Sequence, residues 1–124
     1  MNATRQAESA YGAQAQPIRT HRGTDYDAFA RITHRLKAAS EGRGGFAELA
    51  AALHENRRLW ALLAADAAGA GNGLPESLRA RVIGLAEFTR RHSDRVLSRD
   101  APAAPLIEVN TAVMQGLRAR AGTA

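Results

Sequence analysis

Three short stretches of the chain hold residue types that do chemistry, and each lacks a piece its chemistry needs. His54-Glu55-Asn56-Arg57-Arg58 begins like a zinc-protease helix. That motif needs a second histidine four residues on, so that two imidazoles face one metal. Position 58 is arginine, so the pair is missing. Gly69-Ala70-Gly71-Asn72-Gly73 has the glycines of a phosphate cradle. It lacks the lysine and the preceding strand of one, and its Gly and Asn suit an interhelical turn. His92-Ser93-Asp94 holds the residue types of a hydrolytic triad. Consecutive residues on a helix point in different directions and cannot form a relay. His21, His34 and His92 have no partner at i+3 or i+4 that would make a metal site, and no two carboxylates stand out as an acid–base couple. The expectation is a protein that is not an enzyme and that uses no metal or cofactor.

Two other features suit binding. His54, Asn56, Arg57, Arg58 and Trp60 set a polar cluster beside a large aromatic. Asn56 falls on an apolar stripe and must hydrogen-bond if buried, and an arginine here suits a carboxylate clamp. Two readings stand open: Asn56 ties helices together while the arginines face solvent, or the cluster meets a partner. The second feature is Leu106-Ile107-Glu108-Val109-Asn110 with Val113, Met114 and Leu117. Its apolar surface is wider than one narrow stripe. It either packs wholly into the core or offers a groove to a partner helix.

These residues must be positioned by helices. The chain has 124 residues, 45% hydrophobic and 23% charged, with only 5% aromatics. That is enough for one modest core and too few aromatic and β-branched stripes for a sheet. Phe46, Leu49, Leu53, Asn56, Trp60 and Leu63 recur at alternating spacings of three and four, a helical stripe. Leu78, Val82, Leu85, Phe88 or Thr89, His92 and Val96 mark another, with Pro75 at its start, where a missing N–H costs nothing. Gly84 within it suggests a close helix crossing. Leu106, Val109, Asn110, Val113 and Leu117 mark the last, beginning after Pro102 and Pro105.

Nearer the N-terminus, Tyr26, Phe29, Ile32, Thr33 and Leu36 share a face. Thr24 resembles an N-cap with Asp27 completing a capping box, and Asp27 is spaced to pair with Arg31. Residues 1–23 read as a weak short helix, with Ala3, Ala7, Ala10 and Tyr11 on a thin face, then a loop from Pro17 to Gly23. The fold expected is all-α, a single-domain antiparallel bundle of four main helices plus this weak N-terminal one, because short loops favour antiparallel neighbours. The boundaries are 1–23, 24–120 for the bundle, and a flexible tail at 121–124.

The formal net charge is +5, from 17 basic and 12 acidic residues, all but Lys37 of the basic ones arginine. The arginines are dispersed rather than clustered. With no cysteine, no signal-peptide pattern at the start and no apolar run near the ~20 residues a bilayer needs, the chain reads as soluble and cytoplasmic, with no membrane partner.

Taken in order, these pieces resemble the FlaF family of flagellar biosynthesis regulators from about Ala10 to Gly116. Ala10-Tyr11 opens the match, followed by Asp25-Tyr26 through Ile32-Thr33 and Leu36. Leu53-His54, Asn56-Arg57 and Leu59-Trp60 are its most specific part. Gly71-Asn72, Leu74-Pro75, Leu78-Arg79-Ala80-Arg81, Arg91-His92-Ser93, Leu106-Ile107-Glu108-Val109-Asn110, Met114 and Gly116-Leu117 complete it. The segment 17–23 and Glu55 depart from the pattern.

The resemblance implies a cytoplasmic protein that binds flagellin and promotes its synthesis or export, beside a second regulator, FlbT, as a further partner. Flagellin's terminal segments form amphipathic helices, which a small helical protein can cover. The partner-binding residues expected on this basis are Tyr11, Tyr26, His54, Asn56, Arg57, Trp60, Leu106, Ile107, Asn110 and Met114, with the aromatics as anchors. The alternative is an RNA-binding regulator of flagellin messenger, favoured by the positive charge; the dispersed arginines and the absence of an RNA-binding module weigh against it.

Overall fold

Each of the four main apolar stripes forms a helix. The computed structural model describes the backbone of residues 15–69 and 73–123, and side chains across 25–69 and 73–118. It contains four helices: α1 (Ala15–Ser40), α2 (Gly45–Ala68), α3 (Glu76–Leu97) and α4 (Ala104–Thr123), with no strand among the described residues.

The helices pack in cyclic order. α1 lies against α2 and α4, α2 lies against α3, and the contact between α3 and α4 is thin. Paired residues fix the directions. Arg35 meets Glu48 while Arg31 meets Glu55, so α1 and α2 run antiparallel. Thr33 meets Asn110 while Arg118 meets Tyr26, so α1 and α4 do too. The result is an antiparallel helical bundle.

The tight turn between α1 and α2 depends on Gly44. It sits at φ 80° as the N-cap of α2, in the left-handed region that favours glycine. A Cβ there would lie 2.6 Å from the Cβ of Glu48, the residue that turns to grip Arg35. At the same end of the bundle, α3 closes with paired bonds from Arg99 N to Val96 O (2.9 Å) and Asp100 N to Arg95 O (2.8 Å). This is the Schellman pattern, which puts its C′ residue in the left-handed region. Arg99 occupies that position at φ 60°, its guanidinium 4.4 Å from the ring centre of Phe46.

The aliphatic core sits at this end of the bundle. Leu36, Ala39, Ala52, Leu53, Val96, Ala103 and Leu106 are buried together, with Leu49, Phe88, Leu97 and Ile107 packed against them.

Several boundaries differ from the sequence expectation. The loop from Pro17 to Gly23 is part of α1, and Thr24 is inside that helix rather than capping it. Pro17 falls in the first turn, where backbone N–H groups have no intrahelical acceptor, so its missing N–H costs no helical bond. Gly23 costs about 1 kcal/mol relative to alanine, which a 26-residue helix packed on two neighbours tolerates. Arg31 bonds Glu55 across to α2 at 2.6 Å, in place of the local pair expected with Asp27. α4 runs on to Thr123, so residues 121–123 continue the helix. Gly84 marks no close crossing: a Cβ there would meet nothing within 4 Å. The thin face of Ala3, Ala7, Ala10 and Tyr11 lies outside the described residues.

Candidate partner-docking site

The middle of the bundle is polar. Asn110, on α4, is fully buried and joins three side chains on two other helices. Its Oδ1 accepts from Trp60 Nε1 at 2.9 Å. Its amide nitrogen donates to Asn56 Oδ1 at 2.8 Å and to Thr33 Oγ1 at 3.1 Å. Both amide hydrogens are used. Phe29 packs its ring edge-on to Trp60, centroids 5.6 Å apart, a favoured aromatic geometry. Phe29 and Thr33 lie one turn apart on α1, and Asn56 and Trp60 one turn apart on α2, which is why helical spacing can assemble the layer.

This layer shows where the α2 cluster points. Asn56 and Trp60 tie helices together from inside, at 0% and 2% exposure, as do Leu106 and Asn110 at 0%. These four lie inside the closed bundle, so a partner reaches them only if the helices part. His54 faces solvent. Arg57 is half-buried and pairs with Asp94 of α3 at 3.2 Å. Tyr26 is half-buried. Its hydroxyl accepts from Arg118, whose guanidinium also lies 5.5 Å from the ring centre. Ile107 and Met114 are half-buried, and Tyr11 lies outside the described residues. The structure thus brings Asn56, Trp60 and Asn110 together and leaves the others spread around the bundle.

Electrostatics reinforce the α1–α2 edge. Arg35 grips Glu48 with two bonds (2.6 and 2.9 Å) and Glu55 with a third (2.9 Å), and Arg31 holds the other oxygen of Glu55. The bond from Arg35 holds Glu48 below the usual carboxylate range. Bonds from Arg31 and then Arg35 do the same for Glu55. Arg35 is raised in turn, chiefly by Glu48. On α3, Arg90 lowers Glu87 through its hydrogen bond.

Apolar surface is also left accessible past the polar layer. α4 follows α1 from Asn110 to Arg118 and meets α3 near the connecting turn, where a His92 ring nitrogen lies 2.8 Å from the Pro102 carbonyl oxygen. Beyond that turn the two helices leave their stripes incompletely covered. Leu78, Val82 and Leu85 of α3, Leu63 of α2, and Val109, Val113 and Leu117 of α4 are all half-buried. The sequence placed every one of them on a stripe. It carried no signal that the stripe closes around Leu36, Leu53 and Leu106 and stays open around Leu85 and Val113. Arg79 and Arg81 flank the open part of α3 without an ion pair among the described residues.

No three His, Asp or Glu side chains among the described residues are grouped to hold a metal ion. No described helix is long and apolar enough to cross a membrane.

Fold and site together define a four-helix bundle with a polar-layered core and thin contact between its third and fourth helices, whose apolar stripes stay half-buried. The model of one family, described as flagellar protein FlaF, matches residues 7–117. That is most of the chain, which therefore belongs to the FlaF family of flagellar proteins. No curated protein and no solved structure matches it.

Proposed function

We propose that this protein is a cytoplasmic, non-catalytic chaperone or adaptor. It binds an amphipathic terminal helix of flagellin in the gap between α3 and α4 and so supports flagellin synthesis and export, with FlbT as a second partner. Family membership supports the flagellar setting. The observation that carries the docking reading is that Leu78, Val82 and Leu85 of α3 and Val109, Val113 and Leu117 of α4 are only half-buried on two helices whose mutual contact is thin. Apolar surface left on a small bundle is stabilised by covering it, at roughly 25 cal/mol per Å². A helix laid in a groove does this with residues at i, i+3, i+4 and i+7. The contacts expected from the sequence shift accordingly: Met114 and Ile107 border the gap's helix, while Trp60 and Asn56 hold its walls in register.

The test is equilibrium binding of purified flagellin to the wild-type protein and to Leu85→Glu and Val113→Glu. A carboxylate in the gap opposes burial, so each variant should keep its helical content and bind at least about tenfold more weakly, or 1.4 kcal/mol. Wild-type affinity in both folded variants would remove the gap from the interface.

A further inference from the structure

α3 is anchored differently from its neighbours. Its buried side chains are Thr89, His92, Ser93 and Val96, only one of them aliphatic. Thr89 Oγ1 and Ser93 Oγ have no hydrogen-bond partner, although their residues are 1% and 0% exposed. Helical hydroxyls ordinarily bond back to the carbonyl four residues earlier. The amide nitrogen of Asn56 is unpartnered in the same way.

These three groups share one level of the bundle. Thr89 and Ser93 are a turn apart on one face of α3. The Arg57–Asp94 pair sets the register of α2 against α3, which puts Asn56 level with Ser93. Asn110 already takes the Oδ1 of Asn56 at this level, and the half-buried Leu85 lies one turn before Thr89 on α3. Unpaired groups of this kind are uncommon in buried interiors and call for an explanation.

Their donor and acceptor inventory defines a complement. Asn56 offers an N–H, and each hydroxyl can donate or accept. A side-chain amide meets all three: its oxygen accepts from Asn56 and one hydroxyl, and its nitrogen donates to the other. An aliphatic group would leave them unpaired, and a carboxylate would bring a charge into the interior.

We propose that Asn56, Thr89 and Ser93 read the register of the docked helix: α3 yields as the helix enters, and an Asn or Gln within its apolar stripe takes up the three groups. A single buried polar residue fixes the register of paired helices in this way. The inference rests on the docking reading above and assigns it a specificity element on α2 and α3.

The experiment uses the double variant Thr89→Val/Ser93→Ala, which removes both hydroxyls at little change in volume. Two quantities are read: the melting temperature with amide exchange in α3 of the free protein, and affinity for purified flagellin. The variant should melt several degrees higher, exchange more slowly in α3, and bind flagellin about tenfold more weakly. An unchanged or lowered melting point would show that the hydroxyls are already satisfied and would overturn the proposal. A raised melting point with wild-type affinity would reduce them to packing defects and overturn it equally. If Leu85→Glu weakens binding and the double variant does not, the register element fails and the gap stands. If wild-type protein holds no flagellin, both fall together.

Discussion

Asn110 is the residue on which the interior most depends. Among the described residues it alone bonds Trp60 Nε1, and it bonds Thr33 and Asn56 as well. Replacing it with alanine removes three bonds and strands an indole N–H and an amide oxygen away from water. Each stranded group costs about 1–3 kcal/mol, and the lost volume adds a cavity term. Asn110→Ala is therefore expected to lose roughly 3–5 kcal/mol in urea denaturation, a large share of the ~5–15 kcal/mol that holds a domain folded. A loss under ~1 kcal/mol would mean that solvent reaches the layer. Asn110→Asp should be nearly as damaging, because a carboxylate cannot donate to Asn56. Any binding defect of a Trp60 variant has to be read beside its stability for the same reason, since Trp60 is buried in this layer.

Between elements, the α1–α2 edge is held by charge. Glu48 and Glu55 have pKa values below the ordinary carboxylate range because Arg35 and Arg31 bond them. A depressed folded-state pKa adds stability that is fully present above the unfolded value of about 4.3 and is lost as pH falls through the lower folded values. Arg35→Met should thus melt below wild type at pH 7, with the gap narrowing steadily below about pH 4.5 as the carboxylates protonate. A gap that stays constant down to pH 3 would assign the defect to lost packing of the arginine stem instead. The side chains are about one-third exposed, so added salt should shrink the gap as well. This clamp was not legible beforehand. Arg35 and Glu48 lie on separate helices, and local spacing offered Arg31 a nearer partner in Asp27. Stripes at spacings of three and four were legible, because burial on a helix repeats with its turn, and so all four helices were anticipated. The continuity of α1 through Pro17 and Gly23 was not, because propensity marks a breaker without knowing whether it falls in a first turn or under tertiary contacts. The cluster at Asn56 and Trp60 was visible as unusual. Its direction was hidden, since pairing with Asn110 joins residues 54 and 50 positions apart.

Over the whole molecule, the +5 charge is broken up in a way that separates the two functional readings. Arg31, Arg35, Arg57, Arg90, Arg91 and Arg95 each lie within 4.0 Å of a carboxylate. Arg99 and Arg118 lie over aromatic rings. An RNA-binding surface needs cations free to replace the counterions of successive phosphates, and the affinity it gains falls linearly with salt on a logarithmic scale. An apolar gap gains affinity from area removed from water, which salt changes little. Between 50 and 300 mM salt, the affinity for flagellin should therefore change by less than about threefold, while any affinity for flagellin messenger should start in the nonspecific range of about 10⁻⁴–10⁻⁶ M and weaken steeply. The decisive comparison runs both titrations on the same preparation with Val113→Glu beside the wild type. The variant should lose flagellin and leave RNA affinity within the small change one added negative charge produces. Tight RNA binding that survives Val113→Glu, together with flagellin binding that collapses with salt, would reverse the assignment and make the paired arginines the working surface.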